Sequence, residues 1–445
     1  MSGGTWEGES WLEDAEALAS AARRALDSVP ASARGELFVR VADELTAELD
    51  PVTGGPQESR GLSVRAAARV WRDGRLGVAQ GLVSGVEDLV ALVDLALDRA
   101  PSGPEAPRPS MDAETAQLPE DRLPARPSEE GLRELGAALL TGVRGLGVPV
   151  QALFLEQRAE LRLLAHSDGR CWVERPQLER AMARCESSRG AVLDALAAPV
   201  LGGARDVTAL LGRLREALEA LEGPGEAPDP SLPLALRPAV AAPLVSGFGV
   251  LLRGDVAAGT PALARALGKR LFPSVLTLVD EPAHPWAASR RLHDDEGLRA
   301  SRLVLVDRGQ LSTFLHSTAS AALLGTASNG RAVREPGGLL PAPGTFGLHI
   351  APGGSSLPDD CCELTARLET FTTMPKPGTV GLIVAGWERR GGQRVRRVRP
   401  FELELPVLPT LRRLRAVGPD LTFLPAVDGC GTPTLVFEPL LRGTP

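Results

Sequence analysis

The chain has 445 residues and a formal net charge of −7, with 43% hydrophobic and 24% charged residues. These values are normal for a soluble globular protein of more than one domain. A general binder of nucleic acid or of anionic membranes needs a basic face, so the negative charge argues against both classes. No apolar run reaches the length of a membrane span, and we expect no secretory signal. Five cysteines without metal-knuckle or framework spacing predict reduced thiols in the cytoplasm.

The first half of the chain alternates helical and extended patterns. Apolar residues at helical spacing predict a helix over Glu13–Val29, and the alternation in Gly35–Leu49 predicts a strand. Asp73-Gly74 between two apolar runs predicts a hairpin within Gly61–Val78. Further expected elements are helices at Val86–Leu97, Glu129–Gly142, Ala191–Leu196 and Asp206–Leu221, and strands at Val150–Leu155, Glu160–His166 and Cys171–Val173.

Two proline-rich segments interrupt these patterns. Residues 101–127 have no apolar period, which predicts an excursion from the domain. The breakers in Glu222–Leu232 predict the boundary between an N-terminal α+β domain, residues 1–222, and a C-terminal β-rich domain, residues 233–445. We infer that the N-terminal domain repeats a helix-plus-antiparallel-hairpin unit.

The second half of the chain is richer in extended patterns. Ala239–Val245 is continuously apolar, and we interpret it as extended. The other expected elements are strands at Leu276–Val279, Leu303–Val306, Gln310–Phe314, Leu348–Ala351, Val380–Trp387, Arg394–Leu405 and Thr434–Phe437, and helices at Pro261–Leu271, Cys361–Thr370 and Leu408–Ala416. This order predicts a mostly antiparallel, strongly curved or barrel-like sheet with few helices.

Several segments share their order and spacing with a known family. They are Arg60–Gly77, Leu244–Asp255, Leu276–Asp280, Asp294-Asp295-Glu296-Gly297, Leu303–Leu315, Ala327–Arg331, Leu414–Leu421 and Cys430–Leu435. Together they resemble the TldD/PmbA family, the "modulator of DNA gyrase" peptidases, and within it a PmbA/TldE-like member.

The resemblance indicates a lost metal motif. In the family's metal-bearing subunit a helix has the sequence His-Glu-x-x-x-His and soon reaches Gly-Asp. When the chain is aligned on Gly254-Asp255, the two histidine positions hold Val245 and Val250, and the glutamate position holds Ser246. Valine and serine lack the imidazole nitrogens and carboxylate oxygens that hold zinc. The resemblance therefore implies neither a metal site nor a catalytic residue in this chain.

Six residues are candidates for a substrate groove, namely His293, Asp294, Asp295, Glu296, Asn329 and Cys430. Cys430 matches the family's third zinc ligand, but one thiolate does not hold zinc alone, which favours a small buried or groove-lining residue. The acidic cluster could likewise order a loop by accepting backbone N–H groups. A relocated metal site around His293, Asp294, Glu296 and Cys430 is a further alternative. The basic run Arg389–Arg399 could meet an acidic leader peptide, or form a solvated hairpin around its Gly-Gly turn.

The resemblance implies a function for the whole chain. It would be the non-metal subunit of a heterodimeric TldD/TldE-type zinc metalloprotease that trims or degrades unfolded or ribosomally made peptides. This chain would enclose and guide the peptide while a metal-bearing TldD-like partner holds zinc. The alternatives are a stand-alone peptide-binding or scaffold homologue without catalysis, and an enzyme with a relocated site.

Overall fold

A computed structural model describes residues 7–109, 126–288, 290–334, 340–368, 378–425 and 427–441. The helices in these ranges are α1 (Glu7–Glu13), α2 (Ala15–Leu26), α3 (Val86–Arg99), α4 (Glu129–Arg144), α5 (Thr208–Leu221), α6 (Pro238–Leu251), α7 (Gly254–Ala258), α8 (Pro261–Ala264), α9 (Thr318–Leu323) and α10 (Val407–Leu411). Residues 110–125 of the predicted excursion lie outside the described residues. None of the described helices has the length and apolar character needed to span a membrane.

The strands divide between the two halves of the chain. The N-terminal half contains β1 (Ala33–Leu49), β2 (Pro56–Arg72), β3 (Arg75–Leu82), β4 (Val150–His166), β5 (Cys171–Glu174), β6 (Gln177–Ser187) and β7 (Gly190–Ala198). The C-terminal half contains β8 (Leu234–Leu236), β9 (Leu278–Asp280), β10 (Leu303–Asp307), β11 (Gln310–Leu311), β12 (Ala332–Val333), β13 (Ala342–Pro343), β14 (Leu348–Ile350), β15 (Cys361–Arg367), β16 (Thr379–Arg390), β17 (Gln393–Pro406), β18 (Leu414–Val417), β19 (Thr422–Leu424), β20 (Cys430–Thr432) and β21 (Leu435–Phe437).

One antiparallel sheet organises the N-terminal half. Its order is β3-β2-β1-β4-β6-β7, with β5 paired to β4, so the two 17-residue strands β1 and β4 lie side by side at its centre. The predicted turn joins β2 to β3: Asp73 and Gly74 both have positive φ, 51° and 78°, as a type I′ hairpin requires. The order of helix, antiparallel strands and helix occurs in residues 15–99 and again in residues 129–221.

The two faces of this sheet differ in chemistry. Leu37, Val39 and Val41 of β1 are fully buried in the core shared with α2 and α3. Successive side chains of a strand point to opposite faces, so Glu36 and Arg40 lie on the other face. Charged side chains on that face contact the C-terminal half, as described below.

The C-terminal half is built around α6. Two six-stranded sheets, β11-β10-β9-β14-β20-β19 and β17-β16-β15-β8-β21-β18, both contribute strands that pack against this helix. Helix α5 packs against β15 and β16, which joins the cores of the two halves. The mixed α+β, sheet-rich architecture agrees with the sequence. Neither sheet closes into a barrel within the described ranges, so the barrel-like form is not confirmed.

Three predicted elements are wrong. Ala239–Val245 is helical and lies in the first part of α6, where every residue from Val240 to Val245 is buried, so the segment is continuously apolar and shows no amphipathic period. Cys361–Thr370 was expected to be helical, but β15 occupies most of it and is buried on both faces, so it lacks alternation. Ala191–Leu196 lies in β7, where pairing with β6 outweighs the helical propensity of Ala and Leu.

Candidate functional site

The positions of the lost metal motif lie on α6. Val245 is fully buried, Ser246 is half-buried and Val250 is 43% exposed, so the two valines point to different faces of the helix. Strand β20 brings Cys430 to the same helix. Its thiol donates to the carbonyl oxygen of Ala242 at 3.3 Å, and its sulfur accepts the backbone N–H of Ser246. The cysteine therefore lies beside the motif positions, as the alignment implies.

These residues do not fit a zinc ion. The valines offer no donor atom, and burial raises the pKa of Cys430 well above its ordinary value, which keeps the thiol protonated. Over the described residues, no group of three or more His, Cys, Asp and Glu side chains is placed to hold a metal. The relocated site around His293 and Cys430 gains no support, because His293 lies instead against the N-terminal sheet.

The buried thiols are expected to resist modification in the folded protein. All five cysteines are free and buried, and burial raises the pKa of Cys361 to about 11 and that of Cys362 to about 12. Since the thiolate is the reactive form, a disulfide reagent such as DTNB at pH 8 should react slowly with native protein. The same sample in guanidinium chloride is the control and should release five equivalents. Rapid reaction of a native thiol would show an accessible cysteine.

Asn329 ties together the chain beside α7. Its side-chain oxygen accepts the backbone N–H of His316 at 2.9 Å, and its amide donates to the carbonyl oxygen of Phe314 at 2.8 Å. His316 packs so closely on Gly254 that a Cβ at this glycine would lie 2.4 Å from the imidazole Nδ1. Close packing of His316 thus explains why glycine occupies position 254 of the family motif. The hydrogen bonds of Asn329 give this residue a structural role.

Asp294 is the centre of a tight acidic turn. One carboxylate oxygen accepts the backbone N–H of Glu296 at 3.0 Å and of Leu298 at 2.9 Å, and the other accepts the N–H of Ala332 at 2.9 Å. Burial and the nearby Glu296 outweigh these bonds and raise the pKa of Asp294 to about 8. The carboxyl group orders the loop by accepting backbone N–H groups, which is one of the interpretations that the sequence left open.

Asp295 and Glu296 face different partners. Asp295 pairs with Arg291 at 2.8 Å and accepts the backbone N–H of Arg334 at 2.6 Å. Glu296 accepts the backbone N–H of Thr318 at 2.8 Å and pairs with Arg69 of the N-terminal sheet at 3.2 Å. The two carboxylates therefore do not form an acid–base pair; they fix the loop to its surroundings.

An ion-pair network joins the two halves of the chain. Glu36 of β1 is fully buried and binds Arg69 of β2, at 2.7 Å and 2.8 Å, and Arg334 at 2.5 Å. Burial acts to raise the pKa of Glu36, but Arg69 and Arg334 outweigh it and lower the pKa to about 2. Since Arg69 also pairs with Glu296, the carboxylates of both halves share these arginines.

His293 lies against the N-terminal sheet. Its ring stacks on Trp172 with centroids 5.7 Å apart, and its Nδ1 is 3.9 Å from Glu174 Oε1. That oxygen accepts the backbone N–H groups of Leu292 and His293, at 2.6 Å and 2.8 Å. The other Glu174 oxygen is buried without a hydrogen-bond partner among the described residues. Burial raises the pKa of Glu174 to about 7.

Glu174→Gln is expected to cost less stability at pH 8 than at pH 5. A carboxyl group whose pKa is raised by folding stabilises the protein below its unfolded pKa and loses that contribution as pH rises through the folded value. For Glu174 the window runs from 4.5 to about 7. Urea unfolding should show the cost of the substitution fall by about 1–3 kcal/mol across it. The exposed Glu219→Gln is the control; an equal pH dependence in both variants would contradict the assignment.

A row of arginines crosses the open face of the N-terminal sheet. Arg40 of β1 lies directly opposite Arg65 of β2 and Arg162 of β4. These arginines and Arg158 line a cavity of about 490 Å³ between the sheet and the loops of the C-terminal half. The other lining residues are Phe38, Ala66, Ala67, Gln80, Gly81, Leu82, Arg291, Asp295, Val333 and Arg334.

A second cavity adjoins the first, and the two together are called the groove below. It has a volume of about 260 Å³, shares Arg158 and Arg162 with the first, and also contacts Arg180 and Pro425. Of the candidate groove residues, Asp295 borders the larger cavity. Sequence reasoning missed the arginines, although the alternation in Glu36–Arg40 already marks a polar face opposite an apolar one.

The basic run Arg389–Arg399 differs in its role from the arginines that line the two cavities. It belongs to the β16–β17 hairpin, whose Gly391 and Gly392 have φ of 54° and 78°. Arg394 binds Glu363 at 2.9 Å and Glu216 at 2.6 Å, and Arg396 binds Glu388. These arginines are matched by carboxylates, which favours the hairpin interpretation over a leader-peptide site.

Comparisons with known proteins agree with this geometry. Residues 230–441 match the model of the PmbA/TldA metallopeptidase C-terminal domain. Metalloprotease TldD homologues of two Buchnera aphidicola subspecies, Acyrthosiphon pisum and Schizaphis graminum, are 28% identical over 117 residues and 29% identical over 138 residues. These alignments cover 26% and 30% of this chain, but only 24% and 28% of the length of the relatives.

Two solved structures share the fold over nearly the whole chain. TldE from Thermococcus kodakarensis has a TM-score of 0.78 at 19% identity and covers 95% of this chain and 98% of its own. A modulator of a DNA gyrase from Thermotoga maritima has a TM-score of 0.76 at 17% identity, with 97% and 98% covered. Residues 230–441 belong to the PmbA/TldA metallopeptidase C-terminal domain family, and the TldD homologues and the shared fold together support TldD/PmbA family membership for the chain.

Proposed function

We propose that this chain is the non-metal subunit of a TldD/TldE-type zinc metalloprotease. The observation that carries the proposal is the chemistry of α6, where Val245, Ser246 and Val250 occupy the metal-motif positions while Cys430 and Gly254 keep the surrounding frame. The likeness of the fold to TldE supports it. In this proposal a metal-bearing TldD-like partner holds zinc and cleaves the peptide, in a heterodimer in the cytoplasm.

The chain's own contribution is to enclose and guide an unfolded or ribosomally made peptide. The end of the edge strand β3, at Gln80–Leu82, borders the larger cavity. An exposed sheet edge can pair with an extended peptide through main-chain hydrogen bonds, which accepts many sequences. The two proposed domains, residues 1–222 and 233–445, would close on the peptide from opposite sides.

Native mass spectrometry of the tagged chain, recovered from the cells that encode it, tests the proposal. We expect a 1:1 complex with a second chain of similar size that carries one zinc ion. A metal-free monomer or homodimer would overturn the heterodimer and favour the stand-alone peptide-binding or scaffold alternative. Zinc bound to this chain alone would contradict the assignment of α6.

A further inference from the structure

We propose that the arginine row binds acidic side chains, so that this chain selects peptides rich in Asp and Glu. The inference deepens the proposed function, on which it rests, by naming a substrate class. The arginine row is defined here as Arg40, Arg65, Arg158 and Arg162, the basic residues that line the larger cavity from strands β1, β2 and β4.

The row brings four like charges together on one face of the sheet. Like charges directly opposite one another on adjacent strands destabilise a sheet, and here Arg65, Arg40 and Arg162 occupy neighbouring strands in register. The chain as a whole has a net charge of −7, so arginines gathered on one face of a sheet form a local concentration of positive charge. This arrangement is therefore a concentrated positive site on an acidic molecule, which favours an anionic ligand.

Glu160, the carboxylate that contacts three members of the row, does not neutralise it by itself. Glu160 pairs with Arg40, Arg158 and Arg162 at once. Burial acts to raise the pKa of Glu160, but Arg162, Arg40 and Arg158 outweigh it and lower the pKa to about 2, so it supplies one full negative charge. Arg158 also lies 3.5 Å from Glu156, which pairs with Arg180 as well. Arg65 is exposed to the groove and has no ion pair within the described ranges.

Donor groups remain for a ligand. Arg40 Nε and Arg162 Nη1 are buried without a hydrogen-bond partner among the described residues. A guanidinium group presents several N–H donors in a planar fork that matches a carboxylate. The cavity has the size of a small-ligand site, about 300–1,000 Å³, and continues into the second cavity. An extended peptide along the groove would place successive acidic side chains within reach of the row.

Fluorescence anisotropy on the full-length chain tests this inference. The probes are a labelled 12-residue Ala/Ser peptide that contains four glutamates and a matched peptide with four glutamines. We expect the glutamate peptide to bind about 10-fold more tightly in 50 mM NaCl, with the advantage falling in 500 mM NaCl as screening increases. Arg65→Gln should weaken the glutamate peptide about 3- to 5-fold, the size of a partly exposed ion pair, and leave the glutamine peptide unchanged.

The matched control is Arg72→Gln, which removes an exposed arginine from the same strand outside the cavity and should change neither affinity. Equal binding of both peptides would overturn the acidic preference and leave the peptide-guiding function standing. If neither peptide binds, both the acidic preference and the peptide-guiding function are overturned. Free glutamate or inorganic phosphate that displaces the probe at the peptide's own molar concentration would show a small-anion site, and would overturn the inference for peptides.

Discussion

Replacing Glu36 with glutamine is expected to lower the free energy of unfolding by about 3–5 kcal/mol. Glu36 is fully buried and receives Arg69 and Arg334, both of which are themselves buried. Glutamine keeps the shape of the side chain but leaves two guanidinium charges with less compensation than they have in the native protein. A buried charge that has lost its partner costs far more than the pair contributes.

The effect should depend on pH in a defined direction. A carboxylate whose pKa is lowered by folding stabilises the protein above its unfolded pKa and loses that contribution as pH falls through the folded value. For Glu36 the window runs from 4.5 down to about 2. The cost of the substitution should therefore be full at pH 7 and shrink below pH 4.5.

Urea unfolding of the full chain at pH 7 measures this cost. Glu48→Gln is the matched control, because Glu48 is exposed on the same strand, and its effect should stay within about 0.5 kcal/mol. Because Glu36 and Arg334 lie in different halves of the chain, the substitution weakens the contact between the halves, and we expect their separation to appear as an early transition. A cost under about 1 kcal/mol would contradict an ionised network at this interface.

The part of the N-terminal sheet formed by β1, β2 and β3 was predictable because of its alternation and its turn, whereas β7 was taken for a helix. Alternation in β1 and the turn at Asp73-Gly74 locate the hairpin from local pattern alone. Helix α6 was not predictable in this way, since its first part, Val240–Val245, is buried throughout and therefore lacks the periodic signal. The hydrophobic period gave no information on this segment. The family resemblance did, because it aligned Val245 and Val250 with the metal-motif positions.

The charged sites required the register of the sheets. Arg40, Arg65 and Arg162 are far apart in sequence, and only strand pairing places them in one row. The acidic cluster at Asp294–Glu296 was visible as a motif, but its backbone partners come from other loops. For the acidic cluster, the sequence therefore indicated where negative charge is concentrated, while the role of that charge in the loop depended on tertiary contacts.

Replacing Arg331 with methionine is expected to cost about 3–5 kcal/mol, for a reason that lies within the C-terminal half. Arg331 and Asp280 are both fully buried, and their side chains meet at 2.5 Å. The same guanidinium group also donates to the carbonyl oxygens of Asp280, Ser301, Asn329 and Gly330. Methionine fills a similar volume but leaves these acceptors and one buried carboxylate unsatisfied.

Two controls separate the buried charge from lost packing. Arg302→Met removes an exposed arginine that lies 3.7 Å from Glu281, and should cost less than about 1 kcal/mol. Asp280→Asn in the Arg331→Met background removes the orphaned charge while its amide oxygen can still accept the N–H groups of Phe346 and Gly347. The double variant should recover about 1–2 kcal/mol of the loss in urea unfolding. Strictly additive losses would contradict the ion pair.

This pair also explains two of the segments on which the family resemblance rests. Asp280 ends the strand motif Leu276–Asp280, and Arg331 ends the turn motif Ala327–Arg331. The fold brings them together across 51 positions, at the end of β9, an inner strand of one of the two sheets that pack on α6. Neither residue lines the two cavities of the groove. We therefore expect Arg331→Met to lower stability, while peptide affinity measured well below the unfolding transition stays within about 2-fold of the unchanged chain.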